Sequence, residues 1–291
     1  MEKLNLLTNI RAILMLVVSI AMIACNSQKN YGGLALYTVR EEMAEFPQST
    51  IAEIADAGYQ YVEAAGYEDG KFYGMDPLDF KAFLQENNLD PVSSHHGGVN
   101  FENADQMMKD AKAAGFEYFV VPVPPQGLFR YNQEKNSIEI TGTAEDFAAI
   151  LDELGKKAAG YGLQLLYHNH NFEFEKEEEG IILYDYLLQN TDPEYVNFEM
   201  DLYWTVKAGA DPVAYFTKYP GRFIIWHVKD MDDEGNFAPV GEGNIDFERI
   251  LAEKDKSGMK YYFVEQDATF DLEPLEAIRK SRQGLRKYGF E

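Results

Sequence analysis

The sequence is poor in the residue types that form disulfides and that bind nucleic acids. Its 291 residues contain one cysteine, Cys25, and 26 lysine and arginine residues against 49 aspartate and glutamate residues, for a net charge of −23. A single cysteine excludes a disulfide within the chain. The acidic excess repels phosphate backbones, so we expect no nucleic-acid partner.

Short apolar runs alternate with amphipathic helical patterns from residue 33 to the end of the sequence. This alternation predicts an α/β fold with a parallel sheet. The predicted strands number eight: Gly33–Val39, Tyr59–Glu63, Pro91–His95, Tyr118–Pro122, Leu163–His168, Val196–Asp201, Phe223–Lys229 and Tyr261–Gln266. Eight βα units over roughly 250 residues predict a single-domain (β/α)8 TIM barrel.

A glycine-rich phosphate loop is also missing from the sequence. An open doubly wound sheet, the alternative α/β architecture, usually has such a loop after its first strand. Here the end of the first predicted strand reads Tyr37-Thr38-Val39-Arg40-Glu41. No internal repeat, low-complexity tract or second-domain linker is present, which favours one closed barrel.

The N-terminal segment predicts a secretory signal peptide rather than part of the barrel. Lys3 and Arg11 precede an apolar stretch, residues 12–24, that is short for a membrane span. The stretch ends in Met22-Ile23-Ala24-Cys25, which resembles the lipobox of bacterial lipoproteins, where the cysteine is lipidated. We therefore expect a signal peptide (1–24), a short tether (25–32) and the barrel (33–291), in an exported, membrane-anchored and periplasm-facing lipoprotein.

Metal-ligating residue types stand at the ends of the last four predicted strands. These residues are His168 with His170 nearby, Asp201, His227 and Glu265. Because the carboxyl ends of barrel strands meet at one face, we expect these side chains to form one divalent-cation site.

Further polar and aromatic residues at predicted strand ends are candidates for a sugar-binding pocket, since aromatic faces stack on sugar rings. These candidates are Tyr37, Glu63, His95, His96, Asn169, His170, Asn171, Trp204 and Lys229. We expect His95 and His96 to line the pocket rather than to bind metal.

From about Gly33 onward, the chain resembles the xylose isomerase-like TIM barrels, a group often described as sugar phosphate isomerases/epimerases. The resemblance rests on residues 167–174 (YHNHNFEF), 197–201 (NFEMD), 227–230 (HVKD), 240–247 (VGEGNIDF) and 264–265 (VE). It implies one divalent cation, with Mn²⁺ as the first expectation and Mg²⁺, Co²⁺ or Zn²⁺ as alternatives. It also implies that Asp201, His227 and Glu265 bind this cation.

The chain departs from the epimerase pattern at strand five. The epimerases commonly have a glutamate there that binds the metal and moves a proton, whereas this sequence has His168. A neutral imidazole is still a suitable ligand. His168 is the aligned ligand, with His170 and Glu173 as alternatives for the strand-five role.

The resemblance implies an enzyme that abstracts a proton beside a metal-bound sugar carbonyl. Glu265 or Glu173 is the expected base, and Lys229 is expected to stabilise a developing oxyanion. The proton then returns to the sugar, as in an isomerase or epimerase, or the sugar loses a β-substituent, as in a lyase or hydrolase acting on 3-keto-glycosides. The second outcome requires a sugar oxidoreductase that supplies the keto-sugar.

A catalytically inactive, membrane-tethered sugar-binding barrel is the alternative hypothesis. Sugar capture alone needs stacking and neutral hydrogen bonds rather than a metal among carboxylates. Metal-dependent turnover separates the two hypotheses.

Overall fold

The computed structural model describes residues 32–125, 127–133, 137–175, 177–178 and 180–290. The predicted signal peptide, Cys25 and the tether up to residue 31 lie outside the described residues. Within the described ranges, we find no helix with the length and apolar character needed to span a membrane.

Eight parallel strands close into a barrel, which confirms the predicted fold. In chain order the barrel strands β1 to β8 are Gly32–Ala35, Tyr61–Ala64, Asp90–His95, Tyr118–Val121, Gln164–His168, Val196–Asp201, Phe223–Val228 and Tyr261–Val264. Each strand pairs with its sequence neighbours, and β1 pairs with β8 to close the barrel.

Helices follow the strands and cover the outside of the barrel. The helices of the described residues are Arg40–Glu45, Pro47–Asp56, Pro77–Glu86, Ala104–Ala113, Ala144–Gly160, Phe172–Glu175, Leu183–Asn190, Leu202–Lys207, Pro212–Lys218, Phe247–Leu251, Lys254–Ser257 and Pro274–Tyr288. Local chemistry explains several of their first residues. Thr143 accepts a hydrogen bond from the Asp146 amide, and Asp211 accepts one from the Val213 amide ahead of a first-turn proline.

The first predicted strand differs from the structure. It extends to Val39 in the prediction, but the chain leaves the sheet at Ala35 and Leu36–Val39 form a 3₁₀ helix. Its apolar residues are buried either way, so periodicity could not distinguish a strand from a buried turn.

Four short antiparallel hairpins, which were not predicted, follow the carboxyl ends of β2, β4, β5 and β7. They pair Tyr67–Glu68 with Lys71–Phe72, Phe129–Asn132 with Ser137–Ile140, Glu177–Glu178 with Ile181–Ile182, and Asp230–Met231 with Phe237–Ala238. Loops at this end of a TIM barrel carry the active site.

A compact set of apolar side chains, the inner apolar cluster, fills the barrel interior. Its buried members are Ala35, Val92, Tyr118, Val120, Leu166, Ile224, Ile225 and Phe263. Gly33 makes room for one of them, because a Cβ at this position would lie 2.5 Å from the Phe263 ring. The barrel is therefore a packed core, and a ligand site must lie above this cluster.

Candidate active site

Along three of the strands, the side chains that face the barrel interior change from apolar to polar toward the carboxyl end. Side chains two residues apart on a strand share a face. His168, His227 and Glu265 therefore follow Leu166, Ile225 and Phe263 of the inner apolar cluster on the same face of β5, β7 and β8. Strand register then pairs His168 with Glu199 and Asp201 with His227.

The four predicted metal ligands converge at the barrel mouth. One ligand atom from each of His168, Asp201, His227 and Glu265 lies within 4.8 Å of the others, and all four residues are buried. Asp201 Oδ2 lies 3.8 Å from His168 Nε2 and 3.9 Å from His227 Nδ1. His227 Nδ1 lies 2.7 Å from Glu265 Oε2.

This donor set fits a divalent cation. Two imidazole nitrogens and two carboxylate oxygens are ligands that Zn²⁺, Co²⁺ and Mn²⁺ accept. Asp201 remains available through Oδ2, because its other oxygen, Oδ1, accepts the Trp204 amide at 2.8 Å and begins helix Leu202–Lys207. Asp201 therefore combines the helix-capping role and the placement expected of a ligand.

A second group of polar side chains contacts these ligands. His95 Nε2 is 2.9 Å from Glu63 Oε1 and 2.8 Å from Glu199 Oε2. Glu199 Oε2 is also 3.0 Å from His168 Nδ1, and Glu63 Oε1 is 2.6 Å from His227 Nε2. We call Glu63, His95 and Glu199 the lower layer.

Burial and mutual charge set the proton affinities of the lower layer. Burial alone would lower the pKa of His95, but Glu63 and Glu199 raise it to about 10. Burial, together with the adjacent Glu63, raises the pKa of Glu199 to about 7. Burial would also raise the pKa of Glu63, but His95 and His227 lower it well below its ordinary value.

The upper ligands differ in their proton affinities. Burial and the neighbouring His227 hold the pKa of His168 well below its ordinary value, which favours a neutral imidazole. Burial would lower the pKa of His227, but Glu199, Glu265 and Glu63 raise it well above its ordinary value. Burial raises the pKa of Asp201 to about 6, against the lowering effect of Lys229.

Lys229 lies among three carboxylates at the mouth of the barrel. Its Nζ is 2.8 Å from Asp201 Oδ2, 2.5 Å from Glu265 Oε2 and 2.7 Å from Asp267 Oδ1. Burial alone would lower the pKa of Lys229, but these carboxylates raise it well above its ordinary value. Lys229 is therefore a permanent cation that can stabilise negative charge.

A pocket of about 280 Å³ opens above these residues. Its lining is Tyr37, Ala65, His95, Gly97, Pro122, Val123, His168, His170, Lys229, Glu265 and Asp267. This volume lies near the lower limit for small-molecule sites. Trp204 lies beside the pocket, with its ring 5.9 Å from Lys229 Nζ and 5.7 Å from the His170 ring.

His170 and His168 both face the mouth, as their common strand parity predicts, and their rings are 5.0 Å apart. Among the described residues, the clusters with metal-binding geometry contain His168 and not His170. Burial and the nearby Lys229 lower the pKa of His170 to about 3, so its imidazole is neutral.

Four of the predicted pocket residues do not belong to the pocket lining and make contacts in other parts of the protein. His96 points to the other face of β3, where its ring stacks on Phe119 at 4.1 Å, because successive strand residues face opposite sides. Asn169 is buried and accepts hydrogen bonds from the Asp201 amide and the Tyr184 hydroxyl. Asn171 bonds Glu175 at 2.7 Å, and Glu63 belongs to the lower layer.

Glu173, a predicted base, does not line the pocket. Its side chain is fully buried, where it accepts hydrogen bonds from the Tyr167 hydroxyl and the His170 amide. Burial raises its pKa to about 8. The short helix Phe172–Glu175 directs this side chain away from the pocket, so its contacts hold the loop that carries His170.

Sequence reasoning missed two carboxylates, Glu199 and Asp267. Glu199 is two residues before Asp201 on β6, and Asp267 is two residues after Glu265, so period-two spacing was the signal for both. Both were hidden among the 49 acidic residues of the chain, because acidity alone does not distinguish a buried carboxylate from a solvated one.

Contacts with Asp230 account for the glycines in the sequence 240–247 (VGEGNIDF). Its carboxylate accepts hydrogen bonds from the amides of Gly241, Gly243 and Ile245 at 2.8 to 3.1 Å. A Cβ on Gly243 would lie 2.4 Å from Asp230 Oδ1. These glycines therefore serve the geometry of a loop organised by Asp230.

Comparison with known proteins agrees with this architecture. The sequence profile of the xylose isomerase-like TIM barrel family matches residues 51–288. A crystal structure of a sugar phosphate isomerase/epimerase from Parabacteroides distasonis ATCC 8503 superimposes with a TM-score of 0.73 at 26% identity, covering 89% of this chain and 98% of that chain.

Two curated relatives are inosose dehydratases. The protein from Mesomycoplasma hyopneumoniae (strain J) is 27% identical over 271 residues, or 81% of this chain and 86% of the relative. The protein from Clostridium botulinum (strain Alaska E43 / Type E3) is 30% identical over 182 residues, which are 55% of this chain and only 57% of the relative. The prediction of an enzyme is confirmed at this level, since the similar proteins bear the names of enzymes. The chain belongs to the xylose isomerase-like TIM barrel family.

Proposed function

We propose that the protein is a divalent-metal-dependent lyase of keto-sugars, removing the proton beside a carbonyl and then expelling a substituent from the next carbon. The observation that carries the proposal is the convergence of His168, Asp201, His227 and Glu265 beneath a small pocket. The inosose dehydratase relatives support an elimination, because dehydration expels a hydroxyl group.

A cation held by these four residues would polarise the substrate carbonyl and stabilise the negative charge that develops on its oxygen. Lys229 adds a fixed ammonium beside the same position. The sequence resemblance favours Mn²⁺ as the divalent metal. The two imidazole ligands also suit Zn²⁺ and Co²⁺.

His170 is the proposed proton acceptor. Glu265 is a weaker candidate because its Oε2 already contacts Lys229 and His227. His170 lines the pocket, and its imidazole is neutral. The proton moves from carbon to an imidazole nitrogen of His170, the C–H electron pair forms the new double bond, and the substituent leaves with its bonding pair.

The single histidine base favours elimination over epimerisation. An epimerase of this group uses two opposed carboxylates to move a proton between the faces of one carbon, and His168 replaces one of them. Elimination needs one base and a leaving group, which this site can serve.

The charge of the pocket favours an unphosphorylated substrate. Among the described lining residues, Lys229 is the one lysine and there is no arginine, and three carboxylates already surround Lys229. A phosphate would add negative charge without an arginine to receive it. Tyr37, which is 41% exposed at the mouth, offers a ring face to a neutral sugar.

The proposed keto-sugar substrate has to be produced by another enzyme. A carbonyl beside the labile C–H bond has to be made by oxidation of a sugar hydroxyl, so an oxidoreductase must precede this enzyme. The leaving group is a hydroxyl in a dehydration or an alcohol in a 3-keto-glycoside.

The test combines metal analysis with product assays on an aryl 3-keto-glucoside and on inosose. We expect about one equivalent of divalent metal and release of the phenol, or of water, that stops on chelation and returns with metal. His170→Gln should retain the metal and lose about 10²–10⁴-fold in turnover. Interconversion of epimers without release would overturn the lyase, and tight sugar binding with no turnover would support the binding-barrel alternative.

A further inference from the structure

We propose that the lower layer, Glu63, His95 and Glu199, fixes the ring tautomers of both imidazole ligands. This inference rests on the proposed metal centre, and assigns a positioning function to three residues that contact its imidazoles.

The two faces of each imidazole contact different groups. His168 directs Nδ1 to Glu199 at 3.0 Å and Nε2 toward Asp201 at 3.8 Å. His227 directs Nε2 to Glu63 at 2.6 Å and Nδ1 toward Glu265 and Asp201, at 2.7 and 3.9 Å. In each ring, one nitrogen therefore faces the lower layer and the other faces the candidate cation site.

A carboxylate can accept a hydrogen bond but cannot donate one. Glu199 and Glu63 consequently require a proton on His168 Nδ1 and on His227 Nε2. This leaves the lone pair of His168 Nε2 for the metal. His227 Nδ1 contacts Glu265 at 2.7 Å, and its lone pair becomes available when Glu265 binds the metal instead. Carboxylates that orient metal-binding histidines in this way also increase the basicity of the ligand nitrogen.

His95 connects the two carboxylates into one unit. Its Nε2 lies within 2.9 Å of both Glu63 and Glu199, and its ring stacks parallel to His227 at 5.4 Å. Ser93 donates a further hydrogen bond of 2.5 Å to the other oxygen of Glu63. Glu63 and Glu199 are at most 1% exposed, so their positions are fixed by these partners.

A competing interpretation treats the lower layer as a metal site. His95, His168, Glu199 and His227 also bring ligand atoms within 4.8 Å of one another. That site would use the opposite nitrogens of His168 and His227, so filling both sites requires each ring to lose both N–H protons. Two tightly bound equivalents per chain would therefore contradict the positioning role.

A measurement of metal affinity tests this inference independently of the proposed reaction, because the measurement needs no substrate. Titration of the full chain with Zn²⁺ against a competing chelator should give one tight equivalent. Glu199→Gln and Glu63→Gln should each weaken binding by about 10–100-fold. Asp110→Asn is a matched control, because Asp110 is a buried carboxylate that bonds Tyr67 and Gln106 away from the pocket.

Nitrogen NMR supplies a readout that simple loss of packing would not change. The chain has five histidines, so ¹⁵N-histidine labelling gives few signals. In the Zn²⁺-loaded protein we expect His168 protonated at Nδ1 and His227 at Nε2, with the His168 tautomer lost or mixed in Glu199→Gln. Unchanged affinity and unchanged tautomers in both variants would overturn the inference, even if the enzyme proves to be a lyase.

Discussion

The inner apolar cluster and the ring of ligands above it occupy the same strands and the same inward face, yet they stabilise the protein by different means. A step of two residues changes Leu166 to His168 on β5 and Phe263 to Glu265 beyond β8. Below this step, burial of hydrocarbon is favourable by itself. Above it, charged groups lose hydration and depend on one another for compensation.

The comparison teaches that function and stability are divided along the barrel axis. A defect in the apolar cluster leaves a cavity, whose cost falls on folding. A defect in the upper ring leaves a charge without its partner and removes a ligand, so its main cost should fall on catalysis. The following predictions test this division.

Among the variants that compare the two regions, Glu265→Gln should give the largest effect, on turnover. The change removes a negative ligand while keeping the shape of the side chain, and we expect a loss of about 10²–10³-fold in kcat. Metal analysis of the variant and its rate of leaving-group release from the keto-glycoside measure this loss. A loss of folded protein as large as the loss of turnover would contradict the division between the two regions.

Phe263→Ala should be the largest perturbation of stability. Phe263 is fully buried in the inner apolar cluster, and truncation of a core phenylalanine costs about 3–5 kcal/mol. Denaturant unfolding measures the loss, with Phe263→Leu as a milder control. The protein that remains folded should still bind one metal equivalent; absence of metal binding would show that the two regions are not separable.

Glu173→Gln should change the pH dependence of stability. The pKa of Glu173 is raised by burial from 4.5 to about 8, so between these values the folded state holds a proton that the unfolded state has released. Stability therefore falls as the pH rises from about 4.5 to 8, by about 1.4 kcal/mol per unit of pKa difference at most. The variant should show a flatter profile in unfolding experiments at pH 5 and 8. Glu175→Gln, at an exposed neighbour, should leave the slope unchanged, and an unchanged slope in both would refute the assignment.

Arg249→Gln should have the smallest effect. Arg249 pairs with Asp211 at 2.6 Å, but the two side chains are 50% and 43% exposed. Exposed ion pairs contribute about 0–1 kcal/mol. A loss of several kcal/mol in the unfolding free energy would show that surface charges matter as much as the buried ring.

Sequence patterns predicted what depends on neighbours along the chain. Alternating apolar runs located all eight barrel strands, and β6 was predicted with its observed bounds, Val196–Asp201. The capping contact of Thr143 is of the same local kind, because its partner Asp146 is three residues away. The four short hairpins were missed because each consists of few residues with no periodicity of its own.

Some residues of the candidate site were predicted from the sequence and others were not. His168, Asp201, His227 and Glu265 were recognised because their residue types are uncommon at strand ends and match a family pattern. Glu199 was overlooked among many acidic residues. His96, a predicted pocket residue, and Glu173, a predicted base, both turn their side chains into packed interiors. Which side of a loop or strand end faces the cavity depends on packing across the barrel.

The sequence by itself determined the barrel, its strand order and the residue types at its mouth, because these follow from local periodicity and from short-range caps and turns. The tertiary structure alone decided that Glu63, His95 and Glu199 contact one another and the imidazole ligands, and that Lys229 stands among three carboxylates. Glu63 and His227 are 164 residues apart in sequence and 2.6 Å apart in space. Only closure of the barrel brings such groups together, since their contact depends on strand register and on the radius of the closed sheet.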